Sequence, residues 1–362
     1  MQTVSIRHTQ SYDPDILYRS VCEHFEALIL AADLSADMHV LLKPNLLAGR
    51  DPSLGVTTHP ALIQAVALRL RELGVKHITL ADSPGGLYTP ASLRKVYSAC
   101  KLNPLREILT LNEDVTSGER DGFSILTPVL QADYLINLPK LKTHGLTVMS
   151  ASVKNLFGCI PGLRKPELHC VYPTIEAFTA LLLDLSAAVK PHLTLVDAVD
   201  CMEGNGPGGG KVRPMGYTLC SRDVYATDEI AAKLMALQPS MAPTIRLARK
   251  RGLCDPQAIQ QIGDNLIPAN PPFILPDSII TKERFFSTRG LFHHFFGRKR
   301  TYPVILADKC IGCGLCGESC PKHLIDIMSK KAVIARKGCI SCFCCQEMCP
   351  VHAIDVVRKR AW

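Results

Sequence analysis

Short aliphatic runs alternate with longer amphipathic segments along most of the chain. Four runs have the length and β-rich content of buried strands: Val40–Leu42, His77–Leu80, Tyr134–Leu138 and Leu193–Val196. Three segments read as helices. Pro60–Leu73 carries Ala61, Ile63, Ala65, Val66, Leu68 and Leu70 and stops at Gly74; Ile175–Val189 ends before Pro191; Ala226–Leu237 is entered through Asp223 and Thr227. This alternation predicts an α/β fold over residues 1–262, a mostly parallel sheet with flanking helices. Ligands in such sheets bind beyond the carboxyl ends of the strands, so the segments that follow each strand are the informative ones.

The pattern changes over residues 263–302. Pro268, Pro271, Pro272 and Pro276 break regular structure, and an aromatic-basic patch follows: Phe285, Phe286, Phe292, His293, His294, Phe295, Phe296, Arg298, Lys299 and Arg300. We read this as a linker whose aromatics pack on the main domain; a membrane-surface or partner-docking segment is the alternative. Residues 303–362 hold an internal repeat with a period of 29: Cys310, Cys313, Cys316, Cys320 and Pro321 recur as Cys339, Cys342, Cys345, Cys349 and Pro350. Regular repetition on this scale predicts a small pseudo-symmetric α+β domain.

Nine of the 16 cysteines lie between Cys310 and Cys349, and each half of the repeat reads C-x2-C-x2-C-x3-C-P. That is the run of bacterial two-cluster ferredoxins. Two-residue gaps let three thiolates reach one cubane, and the proline turns the chain so that the fourth cysteine reaches the other. The reading is two [4Fe-4S] clusters. Cys310, Cys313, Cys316 and Cys349 hold the first; Cys339, Cys342, Cys345 and Cys320 hold the second. Zinc is the competing metal, but its sites pair C-x2-C units across a longer gap. Cys344 is a ninth cysteine within the second loop, and its spacing makes it a spectator. Cys22, Cys100, Cys159, Cys170, Cys201, Cys220 and Cys254 are scattered and read as small buried hydrophobes. About 60 residues make a weak core, so bound clusters would supply much of the tail's stability.

Composition narrows the picture further. Of 362 residues, 47% are hydrophobic and 20% charged, which suits a packed core and excludes wholesale disorder. No apolar run approaches the roughly 20 residues needed to cross a bilayer. MQTVSIRHTQ at the start has no signal-peptide core, so the expected location is cytoplasmic. The formal charge of +8 is dispersed and accompanied by no nucleic-acid-binding signature, so no nucleic-acid partner is expected.

The large segment carries a series of short motifs. These are Lys43-Pro44-Asn45, Thr58-His59-Pro60, Asp82-Ser83-Pro84-Gly85-Gly86 and Asn137-Leu138-Pro139-Lys140-Leu141-Lys142-Thr143-His144. Lys154-Asn155-Leu156-Phe157-Gly158, Met202-Glu203-Gly204-Asn205-Gly206-Pro207 and Asp223-x-x-Ala226-x-Asp228 continue it. Together they resemble the domain-of-unknown-function family number 362, over roughly residues 4–240. Members of that family often end in a two-cluster ferredoxin tail. The resemblance implies an iron–sulfur cluster-binding protein and brings no agreed reaction.

Several motifs fall just after predicted strands: Lys43–Asn45, Asp82–Gly86, Lys140–His144 and Glu203–Gly210. Their convergence on one sheet edge would let Lys43, Lys140, Lys142, His144 and Lys154 surround a carboxylate or phosphate. Candidate catalytic residues are Lys142, His144, Asp82 and Glu203, the last two as proton carriers. Candidate cofactor-binding residues are Lys43, Asn45, Lys154, Asn155, Gly204 and Gly206. The Gly-rich stretch Glu203–Lys211 is not a P-loop, because Asn205 and Val212 replace the required Gly and Ser or Thr; we read it as a mobile loop over the pocket. His59, His169, Asp197, Asp223 and Asp228 lack metal-site spacing and read as capping or hydrogen-bonding groups, Asp223 as a helix N-cap.

The function that follows is an iron–sulfur oxidoreductase in which tail clusters pass electrons to an anionic substrate or cofactor in the α/β domain. A redox partner protein or small-molecule donor would supply the electrons. The alternatives are an electron-transfer or assembly module serving a partner enzyme, and a non-redox enzyme whose clusters only hold the tail together.

Overall fold

The computed structural model describes residues 2–279 and 299–360. The aromatic patch from Phe285 to Phe296 lies outside the described residues. Twelve strands precede the tail: β1 (Gln2–His8), β2 (His39–Pro44), β3 (His77–Leu80), β4 (Thr110–Leu111), β5 (Ser117–Arg120), β6 (Phe123–Leu126), β7 (Tyr134–Leu138), β8 (Lys140–His144), β9 (Val148–Ser150), β10 (Leu193–Glu203), β11 (Lys211–Ser221) and β12 (Ile259–Gly263). The main sheet runs β12-β1-β11-β10-β7-β2-β3-β4, with β8 paired to β10 and β9, while β5 and β6 form a separate hairpin. Pairing from β10 through β7, β2 and β3 to β4 is parallel, and β11 is antiparallel to both neighbours.

The interior strands are hydrophobic on both faces, as buried parallel strands must be. Val40, Leu42, Ile136 and Leu138 join one core, beneath α1 (Pro14–Ala27), α2 (Pro60–Glu72) and α3 (Pro90–Ala99). Leu41 and Leu135, one residue out of phase, join a second core with the long helix Ile175–Val189. Burying Phe178, Leu182 or Leu185 there contributes roughly 1.5–3 kcal/mol each. The motif Thr58-His59-Pro60 starts α2: the His59 ring accepts the Ala61 amide and Pro60 occupies the first turn, where its missing N–H costs nothing. Asp223 caps its helix by accepting the Tyr225 and Ala226 amides. That helix spans Val224–Leu234 rather than the expected 226–237; its chain turns off at Ala236, which has φ of 54°.

Two expected loops are strands. Lys140–His144 is β8, because β10 extends past Val196 to Glu203 and offers it a partner at Asp197 and Met202. The same extension places Met202 and Glu203 within a strand. Beyond β12, residues 264–279 lie against the large domain, with Ala269 and Phe273 buried in its core.

In the tail, β13 (Lys299–Ile305) pairs antiparallel with β16 (Ile354–Arg360), and β14 (Ile325–Met328) with β15 (Lys331–Ile334). The repeat is visible in the backbone. Helical turns begin at Leu315 and Cys344, and His323 and His352 both have φ of 50°. Among the described residues no helix is long and apolar enough to cross a membrane.

Candidate functional site

Two cavities divide the eight motif cysteines. One is lined by Cys310, Cys313, Cys316 and Cys349; the other by Cys320, Cys339, Cys342 and Cys345. These are the two quartets expected from spacing. Apolar side chains complete each wall, Ile305, Ile327 and Ile354 in the first and Leu324, Ile325 and Ile334 in the second. Backbone amides approach the sulfurs: Ala332 donates to Cys310 Sγ at 3.3 Å, Ala353 to Cys349 at 3.1 Å, Leu324 to Cys320 at 3.4 Å and Ser341 to Cys339 at 3.5 Å. All-thiol donors, an apolar shell and amides aimed at sulfur suit an iron–sulfur cluster. Among the described residues no three His, Cys, Asp or Glu side chains converge as single-ion ligands would. The thiols ring a void instead.

A further cavity lies between the tail and the large domain. It gathers Lys43, Asn45, Asp82, Lys142, His144, Lys154 and Asn155. Lys43 leaves the end of β2, and its ammonium meets Asp82 Oδ1 at 2.7 Å while the Leu46 amide donates to Oδ2 at 2.8 Å. Gly158 makes room for this pair, since a Cβ there would lie 2.1 Å from Asp82 Oδ1 and 2.6 Å from Lys43 Nζ. Asn45 donates to Asn155 Oδ1 (2.9 Å) and Asn155 donates to Asn137 Oδ1 (2.8 Å), a chain of amides that links the ends of two strands through a short helix. Asp228 accepts the Ser152 amide at 2.6 Å and so anchors the short helix Ser152–Asn155 that presents Lys154. Burial raises the Asp228 carboxyl to about 7.

The remaining lysines lack carboxylate partners within hydrogen-bonding distance among the described residues. Lys142 donates to Asn45 Oδ1 (2.8 Å) and Val56 O (2.6 Å), and burial lowers its pKa to about 7. Lys165 donates to Ser83 Oγ and Pro84 O, both at 3.0 Å, and burial lowers it likewise to about 7. Lys154 makes no hydrogen bond among the described residues and lies 4.8 Å from the Phe157 ring centre; burial lowers its pKa too.

The tail supplies one wall through Cys344, Glu347 and Met348. His144 Nδ1 accepts the Leu146 amide at 3.0 Å, which leaves the ring proton on Nε2, 3.2 Å from Glu347 Oε1. Burial keeps the His144 ring neutral. Burial also opposes ionisation of Glu347, but the His144 contact and the charge of Lys154 prevail and hold it at about 2. Gly85 admits Met348, whose sulfur would lie 2.4 Å from a Cβ at that position. Gly208 packs on the Glu347 carbonyl and Gly209 on the His352 ring.

Residues 40–233 match the family described as a domain of unknown function, DUF362. The chain belongs to this family. A thylakoid-associated protein of Synechocystis is 34% identical over 263 residues, spanning 70% of this chain and 80% of that protein. Residues 302–350 match a 4Fe-4S dicluster domain, which supports [4Fe-4S] binding and an iron–sulfur electron-transfer role for the tail. A crystal structure of a Thermotoga maritima protein overlaps 61% of this chain and 58% of its own, at 11% identity and a TM-score of 0.38; so distant a likeness carries no argument.

Several expected members of the site stand elsewhere. Lys140 is buried against Asp197 at 3.0 Å, in a network with Tyr12. Glu203 pairs with Arg213 at 2.7 Å and accepts the Ile274 amide. Gly206 carries backbone tightly against Thr143, and neither it nor Gly204 lines the cavity. Of the Gly-rich loop only Pro207 lines it. Conversely, Lys165 and the tail residues Cys344, Glu347 and Met348 were not anticipated. Lys165 sits in a helix, where a lone lysine reads as solvated. Cys344 carried a signal: it is the extra cysteine of the repeat, and it faces the cavity while Cys345 faces the neighbouring thiol-lined void.

Proposed function

We propose that this DUF362 protein is an iron–sulfur oxidoreductase that delivers electrons to an acceptor bound between its two domains. The observation that carries this reading is the helix Cys344–Met348, which separates the two spaces: Cys345 lines one thiol-ringed cavity, and Cys344, Glu347 and Met348 line the interdomain cavity. Two [4Fe-4S] clusters, when bound by the quartets, would supply one-electron chemistry with little reorganisation. An external one-electron carrier would be oxidised as the acceptor in the cavity is reduced. Around that acceptor the lysines would bind and orient anionic groups. His144, held in one tautomer by the Leu146 amide, would present its N–H beside the site, and the tail wall would limit access of water.

Potentiometric titration followed by electron paramagnetic resonance tests this. Lys154→Met removes a cation from the cavity beside the Cys320, Cys339, Cys342 and Cys345 quartet, so it should lower one midpoint potential, by an amount of order 30 mV, and leave the other unchanged. Two unchanged potentials, or two that move equally, would refute the placement.

A further inference from the structure

We infer that the ligand of the interdomain cavity is a small organic dianion, with its two negative groups supplied as carboxylate or phosphate. The inference rests on the same cavity as the proposed function and adds the chemical class of what binds there. Four lysines line the space, Lys43, Lys142, Lys154 and Lys165, against two carboxylates, Asp82 and Glu347. Asp82 is committed to Lys43 at 2.7 Å, and Glu347 to His144 at 3.2 Å. Both histidines on the wall, His144 and His169, are kept neutral by burial. Fully protonated, the lysines therefore leave an excess of two positive charges around the cavity.

Uncompensated charge in such a place is costly, and a ligand of opposite sign removes the cost. Lys142 and Lys165 donate to neutral oxygens, so neither touches a carboxylate and each lacks an ion-pair partner rather than a hydrogen bond. The Lys154 ammonium has neither a hydrogen bond nor a contacting carboxylate among the described residues and rests on the Phe157 face, which leaves its donors for a ligand oxygen. No arginine lines the cavity, so recognition is by point charges rather than by a guanidinium fork. Leu47, Phe157 and Met348 give the same cavity an apolar side, which suits a carbon body between or beside the charged groups.

Calorimetric titration of the full chain, purified without oxygen and left oxidised, tests the class. The probes are malonate, inorganic phosphate and acetate at matched ionic strength and pH 7. Malonate or phosphate should bind at least tenfold more tightly than acetate, and malonate above phosphate marks the carboxylate form. Lys154→Gln should weaken the dianion at least tenfold and Lys154→Arg should restore most of it. Lys142→Met gives a second reading, and melting curves confirm that each variant is folded. Acetate binding as well as malonate, neither dianion binding at millimolar concentration, or an unaffected Lys154→Gln protein overturns the inference. No electron moves in this experiment. Tight dianion binding with unshifted potentials would keep the anion site and reject the electron route.

Discussion

The two halves of the tail share a 29-residue repeat and yet meet different surroundings. In the first half Cys313 is exposed, and Ile311 and Met328 of the same half are each 61% exposed. In the second, Cys344 and Cys345 are buried and their helix closes the interdomain cavity. Two of the three positions that face the cavity differ between the halves, Leu315 and Ser319 of the first corresponding to Cys344 and Met348 of the second, while Glu318 and Glu347 are the same residue in different surroundings. Identical local rules therefore build two thiol-lined voids, and tertiary contact makes one outward-facing and the other inward-facing. In the proposed function the outer half receives electrons and the inner half releases them.

The largest expected effect comes from removing ligands. Cys345→Ser and Cys313→Ser should each cost one cluster, an amount on the order of 10 kcal/mol of local folding energy by analogy with structural metal sites. Iron content should halve in both, whereas malonate binding should weaken only in Cys345→Ser; equal weakening would erase the distinction between the halves. Next is Gly85→Val, which places side-chain atoms on the Met348 sulfur. Overpacking of this kind costs about 1–3 kcal/mol, and Met348→Ala in the same chain should restore much of it in a thermal melt. Glu347→Gln should cost a comparable 1–3 kcal/mol, because the neutral His144 N–H loses its carboxylate partner and Lys154 loses a nearby negative charge. Its counterpart Glu318→Gln, on an exposed side chain, should stay within about 0.5 kcal/mol.

A pH series reads the same cavity from its charge. Lys142 faces Glu347, Lys140, Lys154 and Asp82, and Lys165 faces Asp82, Lys43, Lys154 and Cys159; burial lowers both to about 7. The unfolded chain binds protons on these lysines below about pH 10, and the folded chain refuses them until about pH 7. Stability should therefore rise with pH between 7 and 10, by up to about 2.7 kcal/mol per unit for the two groups together, and saturating malonate should flatten the rise. A flat profile without ligand would mean that both lysines keep their ordinary pKa.

Much of this was legible in the sequence because the informative residues are local. The cysteine spacing matches the thiols that share each void, and seven of the candidate residues drawn from the motifs, from Lys43 to Asn155, line the cavity. Lys140 was misleading since β8 is a strand rather than a loop, and its bulged pairing with β10 carries Lys140 to Asp197 instead of the cavity. Glu203 failed for a related reason, lying at the end of an 11-residue strand against Arg213. Several glycines of the motifs also serve contact rather than ligand: Gly85, Gly208 and Gly209 seat the tail, and Gly158 accommodates an ion pair. Nothing local announces Lys165 or the docked face of the tail, because both depend on packing between segments far apart in the chain.

The most direct test of the account is an iron and acid-labile sulfide count on oxygen-free protein, combined with its reduced-state electron paramagnetic resonance spectrum. We expect about eight iron and eight sulfide per chain and the signal of two interacting clusters. Colourless protein carrying zinc and no labile sulfide would contradict it.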